Sequence, residues 1–361
     1  MSAFRIAIAG TGFGERYAIG LKADPAVELA GVFSRRPERA AAMAERYEIP
    51  FSTRRFEDLL DLPDLDAVAV VTPNSTHAGF VRAALRAGKH VICDKPLALS
   101  GPEAARLHRI AEEVGVRHVT FVPYRFSPAA LGVKQAMDEA QVGRVVSVTA
   151  SWGVDLSGEP LRWRFQRRLS GPGVIADLGS HIFDLMTWWL GPIRRVLGRC
   201  RTLVPDRPAE VGGRKRPVDV PDETWALVEF AGPGVGSVRL SWNAKRDQSI
   251  QVEGDRGKVV YESRSLLQWL EGTGQFEPSA RFAPAAGRGR AAELPAPGKH
   301  DFQRPQDALA RMFRDIVSYL QGGEKPDSVA TFREGVEVLN VIDAVERSND
   351  AGGWLEVRPL A

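Results

Sequence analysis

Hydrophobic residues in the first third of the chain come in short unbroken runs: Phe4 to Ala9, Glu28 to Phe33, Ala67 to Val71, His90 to Cys93 and Arg117 to Val122. Runs without polar alternation suit strands buried on both faces of a parallel sheet, where helices cover either side. Between the runs the apolar spacing becomes helical. A helix carrying Tyr17 and Leu21 follows the first run, an amphipathic helix spans Pro37 to about Tyr47, and a short piece covers Phe56 to Leu60. Phe80, Ala83, Ala84 and Ala87 then fall on one helix, with Ser75 or Thr76 placed to cap it and Gly88 to stop it. Ser100 and Glu103 form a capping box around Pro102, which predicts a helix to about Gly115. Strands and helices in alternation call for a doubly wound parallel sheet.

The second half reads differently. From Gly143 to Val154, Val146, Val148 and Ala150 alternate with Ser147, Thr149 and Ser151, which is the period of a strand with one solvated face. Glu223 to Phe230 and Val235 to Trp242 are joined by a Gly-Pro-Gly turn, and Ile250 to Val252 and Lys258 to Tyr261 form a hairpin around Gly254 and Gly257. Helical patterns return at Pro305 to Gln321 and Thr331 to Ser348, before a last strand from Trp354 to Val357. Pro205 to Val220 and Glu277 to His300, rich in turn formers and Arg, read as surface insertions. The expected fold is an N-terminal Rossmann-type parallel sheet (residues 1–123) and a C-terminal α+β domain on an open, mostly antiparallel sheet (124–361). The last helix or strand is free to pack back on the first domain.

A length of 361 residues supports two domains, and a net charge of +3 gives no reason to expect a nucleic-acid or membrane partner. Cys93 and Cys200 show no metal or disulfide spacing, and the first strand begins directly after Met1-Ser2-Ala3, so a cytoplasmic protein is expected.

Candidate chemistry gathers at the strand ends. Gly10, Gly12, Phe13 and Gly14 form a glycine turn between a strand and a helix, where the backbone can approach a pyrophosphate. Glu15 stands where the usual fingerprint has its third glycine. The second strand ends in Ser34-Arg35-Arg36, with no acid for a ribose 2′-hydroxyl. Guanidinium groups suit a 2′-phosphate, so NADP(H) is favoured over NAD(H). Asp94-Lys95-Pro96 ends another strand, at the edge where such sheets hold ligands, and makes Lys95 the first residue to suspect of chemistry. Asp177, His181 and Asp184 share one side of a predicted helix. No further His or Cys cluster supports a metal there, so an acid/base pair is preferred, with a carboxylate orienting the imidazole. Arg162, Arg164, Arg167 and Arg168 surround Trp163 and Phe165. They suit either an anionic substrate or a solvated loop, and the loop is the simpler reading.

Four pieces together resemble the glucose-fructose oxidoreductase / inositol dehydrogenase (Gfo/Idh/MocA) family: the glycine turn; Thr72-Pro73-Asn74 with His77; Ala87-Gly88-Lys89-His90-Val91 leading to Asp94-Lys95-Pro96; and Tyr124-Arg125-Phe126-Ser127-Pro128. The resemblance implies that Lys95 lies beside the nicotinamide and the substrate hydroxyl, with Thr72, Pro73, Asn74, His77 and Asp94 in the cofactor pocket. It also implies His181 as general acid/base with Asp177 as partner, and a substrate pocket reaching Tyr124, Arg125, Trp163 and Arg164. Two departures stand out: Asp94 replaces the usual Glu, and Gly171-Pro172-Gly173 replaces a triple glycine. The implied activity is hydride transfer between NAD(P) and a secondary alcohol or ketone of a sugar, cyclitol or derivative, in a homodimer or homotetramer built on the second sheet. A non-catalytic sugar or nucleotide sensor and a redox glycosidase that retains its NAD are the alternatives.

Overall fold

The computed structural model describes residues 3–244, 247–263, 279–285, 291–294 and 305–360. The first sheet is parallel, in the order β3-β2-β1-β4-β5-β6, from β1 (Phe4–Ala9), β2 (Val27–Phe33), β3 (Ser52–Thr53), β4 (Ala67–Val70), β5 (His90–Asp94) and β6 (His118–Phe121). Every residue of β4 and β6 is buried, as the unbroken apolar runs require. Helices α1 (Gly14–Lys22), α2 (Pro37–Tyr47), α3 (Glu57–Leu60), α4 (Asn74–Arg86) and α5 (Gly101–Val114) connect the strands.

Two helix starts differ from the sequence reading. The fourth helix begins at Asn74 after Pro73 with no side-chain cap. Thr76 Oγ1 instead donates to Pro73 O and pairs with the Thr72 hydroxyl, both at 2.7 Å. Ser100 does precede α5, but its hydroxyl makes no cap; Glu103 Oε2 accepts from Leu99 N at 3.2 Å.

The second sheet is mixed, in the order β16-β15-β14-β13-β7-β12-β11-β8-β17. It comprises β7 (Val145–Gly153), β8 (Ile193–Arg201), β11 (Glu223–Phe230), β12 (Val235–Ser241), β13 (Gln248–Gly254), β14 (Gly257–Glu262), β15 (Ser279–Pro284), β16 (Ala292–Glu293) and β17 (Leu355–Glu356). Only the β7–β12 pair is parallel among these neighbours. One face is buried by α6 (Pro128–Asp138), α8 (Val174–Asp177) and α9 (Gly179–Leu190). The other carries half-exposed Trp225, Leu227 and Val235.

Both expected insertions need correction. Residues 279–284 are a strand paired along β14; the low apolar content of 277–300 hid it, and the remainder of that stretch lies outside the described residues apart from β16 and its neighbours. Within 205–220, β9 (Asp206–Pro208) and β10 (Lys215–Pro217) form a hairpin. Its Arg207 is only 1% exposed, with the guanidinium 3.8 Å from the Phe165 ring centroid, so the base of this hairpin is part of the interior.

Two late helices pack back on the first domain, and the second of them also covers the second sheet. In α10 (Pro305–Leu320), Phe313 lies 4.8 Å from Tyr17 and 5.2 Å from Phe121, ring pairs worth about 0.5–1.5 kcal/mol each beyond their burial. In α11 (Phe332–Ala351), Asn340 packs so closely on Gly101 that a Cβ there would stand 2.1 Å from its Oδ1, while Val345 presses equally on Gly198 of β8. A true capping box at Thr331 and Glu334 starts this helix.

Candidate active site

Lys95 ends β5, and α7 (Arg167–Ser170), Gly171-Pro172-Gly173 and α8 bring Asp177 to it. Gly173 has a φ of +62°, and a Cβ there would lie 2.4 Å from Pro221 O, so this corner tolerates only glycine. Across it, Lys95 Nζ donates to Asp177 Oδ1 at 2.9 Å and to the Asp177 carbonyl at 3.0 Å. Asp177 Oδ2 accepts from Trp242 Nε1 at 3.2 Å, with Arg164 Nε 3.7 Å away. Burial alone would raise the Asp177 carboxyl; the Lys95 and Arg164 charges and the Lys95 hydrogen bond outweigh it and hold the group well below the carboxylate range.

His181 sits one turn into α9, 1% exposed, edge-on to Tyr124 with ring centroids 4.7 Å apart. Neither ring nitrogen has a hydrogen-bond partner among the described residues. Burial first, then the Lys95 charge, push its pKa well below the ordinary imidazole value despite Asp177, so the ring is neutral near pH 7. No hydrogen bond joins Asp177 to His181 in this structure: Oδ1 is paired with Lys95 and Oδ2 with Trp242. The backbone stays helical between them: Leu178, between α8 and α9, has φ −83° and ψ −38°, its N–H donates to Val174 O at 2.8 Å, and its carbonyl accepts from Ile182 N at 3.2 Å.

Asp184 turns away from the site. Its carboxylate accepts from Arg125 Nε and Nη2, both at 2.8 Å, and each side chain is 3% exposed. Arg125 also lies 5.2 Å from the Trp188 ring centroid. This corrects the placement of Arg125 in a substrate pocket: it is an internal ion pair joining the turn Pro123–Phe126 to α9. Of the other predicted pocket residues, Tyr124 is buried against His181, whereas Trp163 and Arg164 remain half-exposed, with Arg164 4.9 Å over the Trp163 ring. The basic cluster disperses: Arg162 pairs with Glu159, Arg167 with Glu346, and Arg164 faces Asp177.

At the cofactor-side residues, Gly10 has a φ of +118° and its missing Cβ would stand 2.2 Å from Val71 O, so the ends of β1 and β4 meet there. Above Gly12 there is no heavy atom within 4 Å of a notional Cβ, and no side chain caps α1. An open glycine turn at an uncapped helix N-terminus fits a pyrophosphate. Ser34 Oγ accepts from Thr11 Oγ1 at 3.4 Å and from Arg36 N at 3.3 Å, leaving Arg35 and Arg36 exposed beside the turn. Asn74 Nδ2 donates to Ser170 O at 3.1 Å, linking α4 to α7. His77 is wholly buried, with Nδ1 2.8 Å from Pro96 O and Nε2 2.7 Å from Thr72 O; it braces the corner below Lys95. Asp94 accepts from Lys95 N at 2.9 Å, and burial raises its pKa.

Trp242 was absent from the sequence-based set. Only its position after an alternating strand marked it, and nothing local distinguishes an indole that meets Asp177 from one that merely fills a core.

Among the described residues, His108, Glu112 and His118 form a group with metal-like spacing. His118 Nδ1 accepts from Phe332 N at 3.1 Å, so its proton resides on Nε2, 3.1 Å from Glu112 Oε1. A metal on Nε2 would require an imidazolate, and the geometry instead describes a hydrogen-bonded brace. An open cleft of about 400 Å³ between Arg167, Arg201, Asp219 and Asp350 shares no residue with the Lys95 site. No helix among the described residues is long and apolar enough to cross a membrane.

A glycine turn opening a parallel sheet, and a lysine from that sheet meeting a carboxylate of a second layer beside an unpartnered histidine, define a nicotinamide-dinucleotide oxidoreductase. The chain belongs to the Gfo/Idh/MocA oxidoreductases. Residues 4–121 match the model for the oxidoreductase family with an NAD-binding Rossmann fold, and residues 131–260 match the GFO/IDH/MocA C-terminal domain. It is 31% identical to the levoglucosan dehydrogenase of Pseudarthrobacter phenanthrenivorans over 90% of this chain and 88% of that protein. It is 28% identical to D-xylose 1-dehydrogenase (NADP(+)) 2 of Haloferax volcanii over 91% and 92% of the two chains. A structure of levoglucosan dehydrogenase in complex with NADH and levoglucosan superposes with a TM-score of 0.84 at 26% identity, covering 99% of this chain and all of that one.

Proposed function

We propose that this protein oxidises a secondary alcohol of a sugar or cyclitol, or reduces the matching ketone, with levoglucosan-like anhydrosugars, D-xylose and myo-inositol as the first substrates to test. One observation carries the reading. Lys95, from the cofactor sheet, is fixed on Asp177 at 2.9 Å beside a histidine whose two ring nitrogens have no hydrogen-bond partner among the described residues.

An ammonium has three N–H donors. Two of those of Lys95 go to Asp177, so the third is available to a substrate oxygen, where the positive charge stabilises developing alkoxide. The neutral His181 takes the hydroxyl proton on a ring nitrogen. The bound dinucleotide supplies the hydride acceptor. Asp177 keeps the lysine aimed. In the reductive direction His181 returns the proton and Lys95 polarises the carbonyl. Gly10, Gly12, Phe13 and Gly14 with Thr72, Pro73 and Asn74 hold the dinucleotide, and Trp163 with Arg164 borders the sugar.

Ser34, Arg35 and Arg36 favour NADP(H) over NAD(H), as exposed guanidinium groups without ion pairs among the described residues at the end of β2 match a 2′-phosphate. The chain divides near residue 123 into cofactor and substrate domains. A homodimer or homotetramer forms on the open face of the second sheet, where Leu197 and Leu227 stand opposite each other. With both cysteines free, a reducing cytoplasm suits the protein.

The test is steady-state turnover, first of the wild type across the sugar panel with each dinucleotide, then of Lys95→Ala and His181→Ala. Turnover within a few-fold of wild type in both variants would sink the assignment.

A further inference from the structure

The catalytic reading uses Oδ1 of Asp177 and leaves Oδ2 unexplained. That oxygen accepts from the indole of Trp242 at 3.2 Å. Trp242 follows β12, is fully buried, and is tied through its backbone on both sides: its N–H donates to Asp222 O at 2.9 Å and its carbonyl accepts from Leu156 N at 2.7 Å. The ring stands edge-on to Phe165 at 5.3 Å. Phe165 is covered in turn by the buried Arg207 guanidinium, whose Nη1 donates to Leu156 O at 2.5 Å and Glu159 O at 2.8 Å. The indole has a single polar atom, so rotating it away would strand Nε1 and take from Asp177 Oδ2 its hydrogen bond.

We propose that Trp242 is a positioning residue for the reaction: its N–H holds Asp177 Oδ2 so that Oδ1 faces Lys95 and the carboxylate cannot swing toward His181, while Phe165 and Arg207 brace the ring. The inference rests on the catalytic reading of Lys95 and His181 given above. The charged and titratable groups facing Asp177 are Lys95 and Asp94 at the end of β5, Arg164 beside Trp163, His181 on α9, and Tyr124, whose ring also meets His181. Without the indole N–H, Oδ2 has Arg164 and His181 left as partners. A move to Arg164 weakens the grip on Lys95, and a move to His181 raises that ring's proton affinity.

Two variants test this in the full chain. Trp242→Phe removes the donor and some packing. Replacing Trp242 with 3-benzothienylalanine puts sulfur where the N–H was and keeps the shape. The probe is whichever of levoglucosan, D-xylose and myo-inositol the wild type oxidises fastest. In both variants kcat falls about tenfold with KM within about twofold, because the lost interaction serves the transition state. The acid limb of kcat moves up by about one pH unit as His181 gains a carboxylate neighbour. Independently of turnover, the carboxyl carbon-13 resonance of Asp177, assigned through Asp177→Asn, titrates at higher pH in the benzothienyl protein.

Lys95→Ala run in parallel separates the two ideas. If it turns over like wild type, the catalytic reading fails. If it is slow while the benzothienyl protein keeps wild-type kcat, acid limb and Asp177 titration, the positioning role of Trp242 is overturned alone. Loss of rate at all pH in proportion to lost folded protein, with the Asp177 resonance unmoved, also overturns it.

Discussion

Lys95 Nζ donates to both the side chain and the main chain of Asp177, at 2.9 and 3.0 Å, and so joins the end of a parallel strand to a helix of the second layer. An ammonium held at two points is oriented before substrate arrives, which removes reorganisation from the chemical step. Asp177→Asn keeps the shape but not the charge, and Lys95→Met removes the cation. We expect kcat to fall about 10²-fold in the first and about 10³-fold in the second. Steady-state kinetics at saturating sugar and dinucleotide check both.

The neutral state of His181 has two consequences with one sign. Its folded pKa lies well below the ordinary imidazole value, from burial and then Lys95, so the acid limb of kcat falls below about pH 6.5. The unfolded chain takes up this proton first as pH drops. The stability contributed by the neutral ring is thus complete above about pH 6.5 and is lost as pH falls toward the folded value. His181→Ala flattens the decline of Tm between about pH 7 and 5, measured by scanning calorimetry against wild type.

Arg125 and Asp184 form a bidentate pair away from the chemistry, each 3% exposed. Arg125→Met leaves an uncompensated buried carboxylate and destabilises by about 3–5 kcal/mol. Arg125→Met combined with Asp184→Leu recovers part of that loss. Urea unfolding of the single and double variants gives the comparison.

Arg36 immediately precedes α2, its backbone N–H donating to Ser34 Oγ beside the glycine turn, and its side chain makes no cap. If it meets a 2′-phosphate, Arg36→Ala weakens NADPH binding about tenfold and leaves NADH within about twofold, since only one ligand loses a charge-assisted bond of about 1.5 kcal/mol. Fluorescence titration of each dinucleotide reads this directly. Equal losses for both would remove the preference.

Much of the site could be read from local patterns. Lys95 follows a run too apolar to be anything but an interior strand, and the open edge of such a sheet is where a polar end must emerge. Asp177 and His181 were identifiable as a pair by their spacing, and the backbone between them stays helical through Leu178. The groups that meet the Asp177 carboxylate were not legible, because Lys95 and Trp242 come from distant segments. Arg207 and the strand Ser279–Pro284 were missed for a different reason. Their surroundings in sequence are polar and turn-rich, and their burial comes from segments distant along the chain.

The sequence by itself determined the local layout of the first sheet's chemistry: which runs are buried, where the glycine turn lies, and which lysine follows a strand. These follow from side-chain period, turn residues and solvation, all properties of a few neighbouring residues. Only the tertiary structure decided who partners whom. Asp177 meets Lys95 across 82 positions and Trp242 across 65, Asp184 meets Arg125 across 59, and the His181 ring nitrogens meet no hydrogen-bond partner among the described residues. Such pairings depend on how two layers and the α11 helix pack, because a buried charge takes the partner that packing brings within hydrogen-bond reach, regardless of separation along the chain.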